Sequence, residues 1–281
     1  MTPLIAEQHF AGRQCLGKRK LQEDACAFSE VVVGDDGEKG LLLVVADGMG
    51  GHAAGNQASE VAVKMFVAAF HRGGATIRER LAGALEVANG AISEAIDADP
   101  VHRGGMGTTL LGLMLTAAGL EWISVGDSPL YVWRRGELLR LNADHSFRPI
   151  LQDMIERGEL TPEQAATSAL RNRLRAALIG GEVAMIDASP APFPLGPGDV
   201  ILAATDGVQT LSDEAIGAAL LKGGGAEAAA VATGLLRAVL EADKPKQDNA
   251  TVAILLPPSD WTSTPVIDPT GDEVPTRRRP K

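Results

Sequence analysis

Four times in this sequence an apolar, strand-like run meets an aspartate. LLLVVA leads into Asp47-Gly48, WISVG into Asp127 and VILAAT into Asp206-Gly207, and Asp248-Asn249 stands immediately before the apolar run from Ala250 to Leu256. A carboxylate at the mouth of an apolar core is costly to ionise unless a cation or several donors meet it. A following glycine lets the backbone turn sharply and aim its carbonyl at the same point. Ligand sets built from carboxylates, carbonyls and water suit hard divalent cations such as Mg2+ or Mn2+. One such aspartate reads as an ordinary turn, as Asp36-Gly37 does between loop residues. Several at the ends of strands that share a sheet read as a metal centre.

A second element lies upstream. Gly17-Lys18-Arg19-Lys20-Leu21-Gln22-Glu23-Asp24 sets two carboxylates four and five residues after an arginine, ahead of a short apolar strand. A guanidinium suits a planar, two-pronged grip on phosphate. Glu23 and Asp24 are placed to serve a metal site directly or through bound water. Lys18-Arg19-Lys20 alone would be no more than a solvated basic patch. Of the two cysteines, Cys15 and Cys26, neither opens a Cys-x5-Arg loop. A cysteine nucleophile for phosphoester cleavage therefore finds no support, and both read as small core residues.

The elements that must position these groups follow from periodicity and turn chemistry. Val31 to Ala46 reads as strand, turn and strand about Gly34-Asp35-Asp36-Gly37, and Gln57–His71 and Ile77–Asp97 carry helical spacing. Strand character returns over Thr108–Thr116. A meander follows over Leu120–Val125, Leu130–Trp133 and Glu137–Leu141, with Arg135-Gly136 as its hairpin turn. Phe147 to Leu178 is polar and helix-prone, and such an insertion predicts a flap over a site. Val183–Ser189 and Asp199–Thr205 are expected strands. Ser212-Asp213-Glu214 caps a helix, Ala226–Ala242 forms another, and Ala250–Leu256 is the last strand. From Pro257 onward prolines recur without apolar periodicity, ending in Arg277-Arg278-Arg279, which predicts a disordered tail over 257–281. Strand-like runs spread from the first thirty residues to Leu256 call for one interleaved core over 1–256.

Six stretches, taken in order, resemble the metal-dependent type 2C (PPM-type) serine/threonine protein phosphatases in their bacterial form. They are Gly17 to Asp24 with Gln22 in an Asn place, VVADGMGGHAAGNQAS at 44–59, GGMGTTL at 104–110, ISVGDSPLYVWRRGELLRLNADHSF at 123–147, ATDGV at 204–208 and QDNATVAILL at 247–256. The resemblance covers residues 12–256. It implies an α/β fold, a four-layer α-β-β-α sandwich with two central, mainly antiparallel sheets and a metal centre at one end. It implies two Mn2+ or Mg2+ ions, with Asp47 bridging them, Gly48 lending its carbonyl, and Asp206 and Asp248 completing the set. Asp127 would share a third, weaker ion with Asp206. Arg19 would bind the substrate phosphate, and Glu23 would hold bound water beside Asp24. The implied activity is hydrolysis of phosphoserine and phosphothreonine on proteins marked by a serine/threonine kinase. A catalytically silent regulatory module of the same fold is the alternative, although such a module would be expected to lack one of the metal carboxylates. Two departures stand out: Pro129 follows Asp127-Ser128 where the family usually has Arg, and Met49 stands where some relatives place a His. His52 and His145 read as structural.

Composition narrows the partners. A net charge of -10 argues against nucleic acid, whose phosphates require clustered Lys and Arg. Gly104-Gly105-Met106-Gly107-Thr108-Thr109 lacks the lysine of a nucleotide phosphate loop. No apolar run approaches a membrane span, and Glu7, Gln8 and His9 break any signal pattern near Met1. A cytoplasmic monomer is the expectation.

Overall fold

The computed structural model describes residues 2–33, 37–50, 54–98, 105–223 and 225–258. In chain order its elements are strands β1 (Phe10–Cys15), β2 (Asp24–Val32) and β3 (Lys39–Met49), helices α1 (Ala54–His71) and α2 (Ile77–Ala98), and strands β4 (Gly107–Thr108), β5 (Leu110–Thr116), β6 (Gly119–Val125), β7 (Leu130–Arg134) and β8 (Glu137–Arg140). Helices α3 (Arg148–Glu156) and α4 (Pro162–Thr167) follow. Strands β9 (Asp187–Ala188) and β10 (Val200–Ala204), a 3-10 turn over Asp206–Thr210, helices α5 (Asp213–Lys222) and α6 (Ala228–Glu241), and β11 (Ala250–Leu255) complete the order. His52, Gly104, Asp35-Asp36 and 259–281 lie outside the described residues. Among those residues, no helix is long and apolar enough to cross a membrane.

Side chains of β3 alternate between two cores, and that alternation sets the layers. Leu42, Val44 and Ala46 face α1 and α2, packing with Phe66, Phe70, Leu85 and Ile92. Leu41, Leu43 and Val45 face the other way, against Ile201, Ala203, Ala253 and Leu255 of the second sheet. β10 and β11 repeat the pattern, turning Leu202, Val252 and Ile254 toward the helical residues Ile216, Leu235 and Val239. Runs that read as continuously apolar are therefore two-faced, each face buried on a different partner. One sheet runs β1-β11-β10-β7-β8 and the other β2-β3-β5-β6-β9, with β4 on β3, and every pairing is antiparallel. This is the four-layer α-β-β-α sandwich expected from the sequence.

Local chemistry matches local geometry at several points. Arg135 and Gly136 both take positive φ, 52° and 88°, joining β7 to β8 in a two-residue hairpin. Ser212 Oγ accepts from Ala215 N to cap α5. The strand expected over Val183–Ser189 shrinks to Asp187–Ala188, which pairs with β6 at the sheet edge. Ile186, apolar in sequence, is 53% exposed there, so no buried face holds the longer run in register. β1, which the sequence reading did not single out, pairs with β11 along its whole length.

The topology gathers the aspartates. β6 runs parallel to β3 because both pair antiparallel with β5, so Asp127 emerges at the same end as Asp47. β10 is antiparallel to β11, which brings the exit of one, at Asp206, beside the entrance of the other, at Asp248.

Candidate metal centre

Arg19, Glu23, Asp47, Gly48, Asp127, Asp206 and Asp248 line one cavity of about 580 Å3 at that end of the sandwich. Asp24 does not line it. It pairs in register with Asp47, and its Oδ2 accepts hydrogen bonds from Thr205 Oγ1 at 2.8 Å and Thr251 Oγ1 at 2.7 Å. Two hydroxyls of one sheet thus grip a carboxylate of the other just behind the cavity floor. Burial, partly offset by those hydroxyls and reinforced by nearby Asp206 and Asp248, pushes the Asp24 carboxyl up to about 7.

Asp47 is fixed through its backbone. Its carbonyl accepts from Thr109 N at 2.9 Å and Thr108 Oγ1 at 2.9 Å, and Thr109 Oγ1 shares a 2.7 Å hydrogen bond with Ser128 Oγ. The segment before β5 and the loop after β6 are therefore tied to the end of β3. Neither Asp-Gly pair has room for a larger residue after the aspartate. A Cβ on Gly48 would stand 2.0 Å from the Gly55 carbonyl oxygen, and one on Gly207 would stand 1.9 Å from that of Asn249. Close backbone approach, rather than turning alone, requires glycine there.

Asn249 knits the N-terminal element to the last strand. Its Oδ1 accepts from Glu23 N at 2.9 Å and its Nδ2 donates to Leu16 O at 3.0 Å. Glu23 Oε1 is buried without a hydrogen-bond partner. An orphaned carboxylate oxygen beside a set of aspartates is what a divalent cation or its water would satisfy, so the donor set fits a hard metal ion. Burial, joined by the mutual repulsion of the aspartates, raises the Asp47 carboxyl well above its usual range. Burial also raises Asp206, with Arg148 opposing, and takes Asp127 to about 7. Each shift states that negative charge is concentrated here and lacks full compensation from the protein.

The carboxylates are not drawn into a closed cage. Among the described residues no group of three or more His, Cys, Asp and Glu side chains stands ready around one ion. Arginines occupy some of their oxygens: Arg19 Nη2 donates to Asp248 Oδ2 at 2.6 Å, and Arg148 Nη2 lies 3.3 Å from Asp206 Oδ2 and 3.8 Å from Asp127 Oδ2. Arg148 carries no signal in its spacing and was missed by sequence reasoning. The feature that could have pointed to it is its place directly before Pro149 at the start of a helix, where a long side chain projects back over the preceding turn. One cavity wall comes from Asn172 to Ala177, inside the segment expected to form a flap. His145 is buried and ties that segment to the Asp127 loop, accepting from Gly126 N at Nδ1, donating from its own N–H to Gly126 O and accepting from Arg175 N at its carbonyl. Burial pushes the Cys26 thiol up to about 12 and raises that of Cys15, which suits neither to nucleophilic attack.

The profile of the protein phosphatase 2C family matches residues 11–223. The chain belongs to that family. The serine/threonine protein phosphatase PstP of Mycobacterium tuberculosis is 34% identical over 219 residues, which span 76% of this chain and 40% of that protein; the match thus covers less than half of that relative's length. Protein phosphatase PhpP of Streptococcus pneumoniae is 32% identical over 174 residues, 60% of this chain and 68% of its own length. A crystal structure of the PstP catalytic domain in complex with two manganese ions is similar at a TM-score of 0.67 and 31% identity, covering 87% of this chain and 96% of that one.

Proposed function

We propose that this chain hydrolyses phosphoserine and phosphothreonine on proteins, using divalent metal ions held by Asp47, the Gly48 carbonyl, Asp206 and Asp248. The observation that carries the reading is the convergence of four strand-end aspartates on one cavity beside Arg19. Family membership and the manganese-bound relative support it. A pair of Mn2+ or Mg2+ ions supplies acidified water and polarises the phosphoryl oxygens.

The chain's own groups then have distinct tasks. Arg19, at the open rim, exchanges its Asp248 contact for the substrate phosphate and meets the negative charge that grows on the phosphoryl oxygens. Glu23 orients water through its unpartnered Oε1. Asp24 is a positioning residue that locks β2 to Thr205 and Thr251 and so fixes the carboxylates on both sides. Residues 147–178 act as a flap whose inner edge shapes the substrate entrance. Substrates are cytoplasmic proteins phosphorylated by a serine/threonine kinase, and the chain acts as a monomer.

Hydrolysis of a phosphothreonine peptide, followed by phosphate release, tests the reading. The reaction should require Mn2+ or Mg2+, stop with EDTA, and fall by roughly 10^3-fold in Asp47→Ala, since each metal-supplied stabilisation is worth several kcal/mol. Undiminished turnover in Asp47→Ala, or in EDTA, would refute it.

A further inference from the structure

Asp127 and Asp206 face each other across one corner of the cavity, where the family resemblance calls for a third ion. That corner already holds a cation. Arg148 Nη2 stands 3.3 Å from Asp206 Oδ2 and 3.8 Å from Asp127 Oδ2, and it also donates to Asn172 Oδ1 at 3.1 Å. Its Nη1 donates to Gln209 Oε1. The side chains are well enclosed, with Arg148 16%, Asp127 5% and Asp206 22% exposed.

The backbone under Arg148 is fixed by a chain of hydrogen bonds that returns to Asp127 itself. Arg148 N donates to Ser146 Oγ at 3.2 Å, and Ser146 donates from N and Oγ to Asp144 Oδ1 at 2.8 and 2.6 Å. Asp144 Oδ2 accepts from Arg140 Nη1 at 3.0 Å, and Arg140 Nη2 donates to the Asp127 carbonyl at 2.9 Å. The guanidinium is thus set by the same loop that sets the carboxylate it faces. A guanidinium stays charged at every accessible pH and satisfies carboxylates through directed donors. In an enclosed corner its charge is poorly screened, so a divalent ion placed beside it meets strong repulsion.

We infer that Arg148 is the resident cation of the Asp127–Asp206 pair, excludes a third divalent ion from it, and leaves this chain to work with the pair held about Asp47. The family resemblance implies a share in a third ion for Asp127; on this inference the Arg148 side chain takes that place. The inference rests on the proposed metal-dependent reading of the same cavity.

Calorimetric titration of Mn2+ into the full chain, stripped of metal, tests it by ion count. Wild type should take up two ions. Arg148→Gln, which keeps hydrogen-bonding capacity and loses the charge, should take up three, with the third site at least about tenfold tighter than any extra binding in wild type. Arg148→Lys keeps the charge and should remain at two, and adding Asp127→Asn to Arg148→Gln should abolish the gain. Should Arg148→Gln fail to fold, Asp127→Asn in the otherwise unchanged chain still decides: its count should equal that of wild type. Three ions in wild type, a fall in count with Asp127→Asn alone, or a folded Arg148→Gln that gains none would each overturn the inference while leaving the phosphatase reading standing. A wild type that binds no Mn2+ would remove both.

Discussion

Two arginines reach aspartates across the same cavity, under opposite conditions. Arg19 meets Asp248 at 2.6 Å, yet the two side chains are 51% and 41% exposed. Arg148 meets Asp206 at the longer distance of 3.3 Å, enclosed and anchored by Gln209 and Asn172. Distance therefore does not rank them. An exposed pair is worth about 0–1 kcal/mol, because water and salt compete for both partners. Arg19 can leave Asp248 at little cost, as its proposed grip on phosphate requires. An enclosed pair is held by the penalty of leaving either charge unpartnered. The same two residue types make a movable gripper at the rim and a fixed fitting at the floor.

The largest effect that would sharpen this contrast comes from truncating each arginine in turn. Arg148→Ala should destabilise the metal-free protein by about 3 kcal/mol in urea denaturation, since it strands enclosed carboxylates. Arg19→Ala should leave that midpoint within about 0.5 kcal/mol, yet lower kcat/KM on a phosphopeptide by about 10^2-fold. Equal losses of stability in the two variants would break the comparison.

A smaller effect concerns Asp24, the carboxylate served by neutral hydroxyls. Thr251→Val removes one of its two donors and should cost about 1–3 kcal/mol. Asp24 has a folded pKa near 7 against an ordinary 3.8, so its contribution is present in full in acid and declines as pH rises through about 7. Loss of a donor raises that pKa further. The deficit of Thr251→Val should accordingly be greater at pH 8 than at pH 5, and a deficit that shrinks over this range contradicts the assigned contact.

The smallest effect has the opposite sign. Burial lowers the pKa of His145 from 6.5, and its Nδ1 accepts from Gly126 N, so the fold requires the neutral ring. Its contribution holds above pH 6.5 and is lost as pH falls below it. Wild type should exceed His145→Asn in stability by about 1 kcal/mol at pH 7.5, with the gap closing at pH 5.5. A gap that widens on acidification would place the charged ring in the native state.

Much of the scaffold was legible because its signals are local. The α1 and α2 spans, the Arg135-Gly136 hairpin and the Ser212 cap each follow from spacing or turn chemistry within a few residues. The aspartates were legible for the same reason: each stands at the end of an apolar run. Asp24 was harder. Its sequence neighbours place it beside Glu23 in a ligand-like pair, but strand alternation turns adjacent residues to opposite faces, so one lines the cavity and the other meets Thr205 and Thr251. Arg148 depends wholly on how residues 144–148 fold back toward Asp127, and no pattern along the chain encodes that approach. The overlong strand at Val183–Ser189 failed because apolar letters at a sheet edge do not guarantee a neighbour to bury them.

β11 is an interior strand of its sheet, between β1 and β10, and Asp248 stands two residues before it. A ribosome therefore makes an interior strand of the sandwich after the ten other strands found among the described residues. Until then β1 and β10 have no common neighbour, and Thr251 is not there to grip Asp24. On the proposed function, a chain that ends before this strand should release no phosphate from a phosphopeptide, because Asp248 and the Thr251 grip on Asp24 arrive together with it.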